Sequence, residues 1–227
     1  YFFIWFFMKI KVLHQRAGIS PFYKEIRDEL KKNPQHVRFI IAYITWGGIR
    51  LIHKELERIN DNGGKVEIIF GFDKNNFDCD SVGYLVQRIT NGKFYLFQTA
   101  NIDYIFHPKI YIFHTNENYS TFIGSNNLTN GGLNSNTEIC IKLEYNINEQ
   151  KIFNDIESIW KTYIGSTAPF KKNNLLPIDN KNISNLFDES LKYNKSKQLF
   201  KKRKPIFSFH EFPKIDLVTP DFFKDEH

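Results

Sequence analysis

Between residues 37 and 98 the sequence alternates apolar runs with amphipathic stretches, and this order constrains the fold more than any other feature. "VRFIIAYIT" is followed by "GGIRLIHKELERINDNGG", then "KVEIIFGF", "SVGYLVQRITNG" and "KFYLFQT". The apolar runs are short and rich in β-branched and aromatic residues, the composition of buried strands. In the first amphipathic stretch Ile49, Ile52, Leu56 and Ile59 recur at helical spacing, and Gly63-Gly64 ends it. Strand–helix–strand–helix–strand in this order predicts an α/β domain with a largely parallel sheet and helices on its faces.

The flanking segments extend this core. "KIKVL" at 9–13 alternates and predicts a strand. "SPFYKEIRDELKKN" predicts a helix with Ser20 as N-cap, Pro21 at the first helical position and Phe22, Ile26 and Leu30 on one face. Beyond residue 108, "KIYIFH" and "YSTFIGS" are joined by the polar "TNEN" and predict a hairpin. "NTEICIKLEY" predicts a further strand, and "INEQKIFNDIESIWKTYIG" a helix turning Ile152, Ile156, Ile159 and Trp160 inward. After Gly165 the chain becomes Asn- and Lys-rich with weak periodicity. We therefore read 1–165 as one domain and 166–227 as a linker or C-terminal extension, with apolar character returning in "PIFSFHEFPKIDLVTPDFF".

A length of 227 residues is ample for one hydrophobic core, and 23 Phe and 11 Tyr suit a sheet-rich one. The net charge of +6 and a pI near 9.1 suit a polyanionic partner. Cys79 and Cys140 stand far apart in no metal-binding spacing, which fits a reducing, cytoplasmic setting without a disulfide framework. "YFFIWFFMKIKVL" is too short for a membrane span and lacks the features of a secretory leader. Residues 1–7 read either as an upstream translation artefact or as a buried first strand.

Chemistry concentrates in "FHPKIYIF" and "FIGSNNLTNGG". His107 and Lys109 lie two residues apart, so on a strand both point to one face. A core strand has no packing reason to pair an imidazole with a cation, whereas a bound phosphate supplies one. "HPK", then "GSNN", then Glu138 resembles the HxK…GSxN signature of the phospholipase D superfamily, which includes metal-independent nucleases and some restriction endonucleases. The close match spans roughly residues 100–140, and 37–165 is similar to one such domain.

The resemblance implies metal-independent displacement at a phosphodiester, with no cofactor. His107 is then the nucleophile, forming a phosphohistidine that water hydrolyses. Lys109 is the cation on the nonbridging oxygens, Asn127 and Ser125 donate to the same oxygens, and Gly124 permits close backbone approach. Glu138 accepts from the second ring nitrogen of His107. "LTNGGL" is expected to turn backbone N–H groups toward the anion. The usual aspartate five residues after the lysine is His114 here, a candidate for the rim of the site. Thr45 and Trp46 follow a strand expected to abut it and are candidates to line the cleft or stack a base.

Only one HxK…GSxN set is present, while this chemistry uses two imidazoles, one attacking and one protonating the leaving oxygen. By analogy with single-motif relatives, two chains pool their motifs in a homodimer. The implied substrate is nucleic acid, DNA rather than RNA, cut by a restriction- or defence-type endonuclease with no membrane partner. Such nucleases often append a further domain, and 166–227 is a candidate for the start of that connection. The alternatives are a phospholipase or phosphatidyl transferase of the same superfamily, and a non-catalytic nucleic-acid-binding module. The basic run Lys201–Lys204 reads equally as phosphate contacts or as a solvated linker. The acidic stretch holding Asp73, Asp78 and Asp80 reads as a polar loop.

Overall fold

The structure, a computed structural model, describes residues 8–72, 78–98, 105–164, 175–179 and 182–183. The readings of residues 1–7, of Lys201–Lys204 and of 205–223 fall outside this set.

Eight strands form one mixed sheet: β1 (Lys9–Gln15), β2 (His36–Ile41), β3 (Lys65–Phe72), β4 (Lys93–Gln98), β5 (Lys109–Thr115), β6 (Asn118–Gly124), β7 (Glu138–Asn146) and β8 (Leu175–Ile178). Their spatial order is β1-β7-β6-β5-β2-β3-β4-β8. Parallel pairing is confined to β2–β3–β4, the stretch read from the alternating pattern. All other neighbours run antiparallel, because β5–β6–β7 connect by short returns and β1 and β8 add to the outer edges. The β5–β6 hairpin turns tightly at Asn116 (φ 53°), a residue that tolerates the left-handed region.

Helices α1 (Phe22–Lys31), α2 (Trp46–Ile49), α3 (His53–Asp61) and α4 (Cys79–Arg88) bring side chains to the larger core cluster, and α5 (Gln150–Ile164) packs in the other. The larger cluster joins Phe22, Ile26 and Leu30 of α1 to Phe39, Ile41, Tyr111, Phe113 and Phe122 of the sheet. The smaller joins Ile156 and Trp160 of α5 to Ile40, Ile69, Ile110 and Ile112.

Two local expectations are corrected. The stretch 47–64 is two helices rather than one, interrupted at Ile52 (φ −134°, ψ 0°), although Ile49, Ile52, Leu56 and Ile59 are all fully buried as their spacing requires. Ser20 does not cap α1. Pro21 occupies the N-cap position, and the Phe22 N–H donates to Oε1 of Gln15, 2.7 Å away on β1. Ser20 instead donates to the His14 carbonyl and accepts from the Arg16 N–H.

Candidate active site

The parallel strands β2 and β3 end where β5 begins and β6 finishes, at one edge of the sheet. In an open α/β sheet this is where a crevice forms. Lys109 pairs with Ile41, the last residue of β2, and Ile110 pairs with Ile123. Continuing that register sets Lys109 across from Gly124, which in turn pairs with Cys140 of β7. A Cβ on Gly124 would lie 2.3 Å from the Cys140 Cβ and 2.4 Å from the Ile139 carbonyl, so only glycine fits.

His107 precedes β5 and is exposed, while Lys109 is buried to 6 %. The Lys109 Nζ lies 2.8 Å from the His107 Nδ1 and 2.9 Å from the His107 carbonyl. An ammonium has only protons to give, so Nδ1 accepts and the ring is neutral in this arrangement. Partial desolvation of the ring and, second, the adjoining Lys109 charge hold the His107 pKa below the ordinary histidine value. Burial likewise lowers Lys109, while the Glu138 carboxylate opposes that by favouring the charged form. The Tyr43 ring meets the His107 ring edge-on, with centroids 5.9 Å apart.

Asn127 accepts from the Tyr43 N–H through Oδ1 (3.2 Å), which leaves its amide N–H2 without a protein partner among the described residues. The chain there is held by a short parallel ladder: Leu128 N–H donates to the Tyr43 carbonyl and Thr45 N–H to the Leu128 carbonyl. Asn126, only 2 % exposed, braces the turn. Its Nδ2 donates to the Gly132 carbonyl at 2.8 Å, and its own carbonyl accepts from the Tyr111 hydroxyl at 3.0 Å. An imidazole and a buried ammonium in contact, with an amide donor on the turn beside them, form a set able to bind an anion at these strand ends.

A protein-family model described as "Cardiolipin synthase, PLD-like domain" matches residues 26–160. The chain belongs to the phospholipase D superfamily. The chemistry of this family is at phosphodiester bonds, and the chain is an enzyme of that class. Among solved structures, phosphatidylserine synthase from Haemophilus influenzae Rd KW20 matches with a TM-score of 0.54 at 13 % identity, covering 85 % of this chain and 47 % of that one. This chain therefore spans about half the length of that synthase. NucT from Helicobacter pylori matches at 18 % identity and TM-score 0.49, over 67 % of this chain and 97 % of that one. The phospholipase D family member Nuc from Salmonella typhimurium matches at 16 % identity and TM-score 0.48, over 76 % and 99 %. Comparison with curated proteins gives no match.

In this phospholipase D-like domain several expected contacts differ. Glu138 accepts from Ser125 Oγ and from Asn136 Nδ2 (3.1 Å) rather than from His107. Ser125 also accepts from the Ile139 N–H at 3.1 Å and lies 3.3 Å from the Ile139 carbonyl, so its hydroxyl ties the end of β6 to β7. In the turn Gly131–Ser135 two of the amides expected to face the anion are satisfied locally. Gly132 N–H donates to Thr129 Oγ1, and Leu133 N–H to the Thr129 carbonyl. His114 is not at the rim. It lies five residues along β5 from Lys109, about 16 Å away at strand rise, with its ring stacked on Tyr119 at 4.3 Å.

Thr45 and Trp46 do stand at the strand ends, joining β2 to α2. Sequence reasoning missed Asp78, whose Oδ1 accepts from the Ser81 N–H to cap α4 and whose Oδ2 accepts from the Trp46 N–H at 2.7 Å. An acid three residues before Ser81 at a strand-to-helix junction was the available signal. Tyr43, just past the end of β2, is half-buried and faces His107. Among the described residues no group of three or more His, Cys, Asp or Glu side chains is placed to hold a metal ion, and no helix is long and apolar enough to cross a membrane.

Proposed function

We propose that this chain is a metal-independent nuclease acting on DNA through a phosphohistidine at His107, in a site completed by a second copy of the chain. The observation that carries the reading is the buried Lys109 ammonium, 2.8 Å from the His107 imidazole and beside the Gly124–Asn127 turn. A nonbridging phosphoryl oxygen gives Lys109 a stronger partner than the imidazole does, and this frees the ring lone pair for attack on phosphorus. The phosphorus–oxygen bond to the leaving group then breaks, and that oxygen takes a proton from the second imidazole. Water then attacks phosphorus and gives its proton back to the second imidazole, the phosphorus–nitrogen bond breaks, and His107 leaves as the neutral ring. Asn127 donates to the same oxygens as Lys109, and Ser125 with Glu138 holds the turn and keeps Lys109 charged.

The net charge of +6 supports a polyanionic substrate. The catalytic unit is 1–165, with 166–227 as an extension from which β8 docks on β4, and the protein works in the cytoplasm. A second reading, a phosphatidyl transferase, is favoured by the description of the matching family model.

The deciding experiment is brief exposure of the protein to 5′- and 3′-labelled oligonucleotide in excess EDTA, followed by denaturation and detection of acid-labile label. Label on wild type that is absent from His107→Ala supports the reading. Complete inhibition by EDTA, or head-group transfer on phospholipid vesicles with no cleavage of oligonucleotide, overturns it.

A further inference from the structure

Trp46 is 40 % exposed at the start of α2, so part of its ring is open to a partner. Its surroundings are fixed. The Trp46 N–H is held by Asp78 at 2.7 Å. One side of the ring leans on Tyr84 (centroids 4.9 Å apart) and on His53 (6.0 Å). Tyr84 is itself anchored, its hydroxyl donating to Glu57 Oε1 at 2.6 Å, and a ring nitrogen of His53 meets the Arg50 carbonyl at 2.9 Å. A surface aromatic held from three directions loses little freedom on binding a flat partner.

The cluster's position gives it a purpose. Trp46 follows Tyr43 by three residues, a span of at most about 11 Å, and Tyr43 touches the His107 ring. Both belong to the β2–α2 connection, fixed to the catalytic turn through Thr45 and Leu128. Arg50 and Lys54 are exposed on the next turns of the chain, and Arg88 is exposed on α4. Arg88 is shared with Glu57 (3.8 Å) and Asp78 binds only the Trp46 backbone N–H. This leaves the exposed Arg50 and Lys54 to meet phosphates beside an aromatic platform near the site, the pairing an unpaired base and its phosphates require. A base inside a duplex is stacked on its neighbours and has no free face to offer.

We infer that Trp46, backed by Tyr84 and His53, is a stacking platform for an unpaired base next to the scissile phosphate, so that the preferred substrate is single-stranded or frayed nucleic acid. This rests on the nuclease reading above and adds to it a substrate class and a specificity-determining residue.

The test compares kcat/KM on a single-stranded oligonucleotide with that on the same strand carrying abasic residues around the cleaved bond, for wild type, Trp46→Ala and Trp46→Phe. Base-free hydrolysis of bis(p-nitrophenyl) phosphate is followed alongside, and circular dichroism establishes that each variant is folded. Wild type should prefer the base-bearing strand by at least about fivefold. Trp46→Ala should bring that preference close to one, mainly through KM, and Trp46→Phe should restore part of it. An unchanged preference in Trp46→Ala overturns the platform while leaving the nuclease reading intact. So does faster cleavage of a fully paired duplex than of the single strand. Hydrolysis of the small diester with neither oligonucleotide cut removes the nuclease reading and the platform together. A fluorescence shift with phospholipid vesicles but not with oligonucleotide, present in wild type and lost in Trp46→Phe, assigns the indole to a lipid surface and also overturns the platform.

Discussion

Gly124→Ala tests whether the site depends on the crossing of β6 over β7. The new Cβ would stand 2.3 Å from the Cys140 Cβ, 2.4 Å from the Ile139 carbonyl oxygen and 2.5 Å from the Cys140 Cα. Ordinary contact begins at 3.4 Å, so one strand must move by about 1 Å relative to the other. None of the three atoms is the far end of a flexible side chain, so a rotamer change cannot absorb the clash. Two hydrogen bonds lie across the displaced seam, Ser125 N–H to the Ile139 carbonyl (3.0 Å) and Ile139 N–H to Ser125 Oγ (3.1 Å). Overpacking of this kind costs about 1–3 kcal/mol, a melting point lower by about 2–12 °C for a chain of this length. A misplacement of about 1 Å at a reacting centre costs on the order of a hundredfold in rate. The assay is kcat on bis(p-nitrophenyl) phosphate, measured below both melting transitions, with melting followed by circular dichroism. A Gly124→Ala protein that melts early yet turns over at the wild-type rate would refute the argument that this crossing positions the reactive groups.

Three further outcomes follow from the same contacts. The Lys109 ammonium is the second cause, after partial desolvation of the ring, of the lowered His107 pKa. A neutral imidazole is the reactive form, so in Lys109→Met the acid limb of the pH–kcat/KM profile should move to higher pH while the plateau falls; an unmoved limb would separate the two residues. Glu138 raises the Lys109 pKa, so Glu138→Gln should move the alkaline limb to lower pH, since Lys109 then loses its charge sooner. Arg38 and Glu157 form a two-pronged ion pair between β2 and α5, with side chains 6 % and 17 % exposed. Glu157→Gln leaves a buried guanidinium without its counter-charge and should cost about 3–5 kcal/mol in urea unfolding; a loss below 1 kcal/mol would show that water already reaches the pair.

The central strands and helices were legible because their information is local. Period-2 and period-3.6 patterns within ten or so residues placed Ile49, Ile52, Leu56 and Ile59 in the core without any knowledge of partners. The edges of the sheet were less so. β1 lies along β7, pairing Lys9 with Glu144 and Gln15 with Glu138, and nothing in "KIKVL" names a partner some 130 residues away. The same long-range contact explains the misread helix start. Serine at position 20 has the right chemistry for a cap, but only the placement of β1 brings Gln15 close enough to take its place.

The site divides along the same line. His107, Lys109 and Asn127 were singled out because their order resembles the HxK…GSxN signature and their types suit an oxyanion, and of that set the fold brings the Lys109 ammonium onto the His107 ring. The partner of Glu138 was not identifiable, because it depends on strand order. β6 lies between β5 and β7, so a carboxylate on β7 must span two strand spacings, about 9–10 Å, to serve a histidine entering β5. Ser125 sits on the intervening strand and meets Glu138 first. The consequence is chemical as well as geometric: with Glu138 engaged by Ser125, its influence on the nucleophile passes through the charge of Lys109. Ser125→Ala, which removes the hydroxyl, should therefore alter the alkaline limb governed by Lys109 before it alters the acid limb governed by His107. The reverse order in a pH–rate profile would mean that Glu138 turns to the imidazole when substrate is bound.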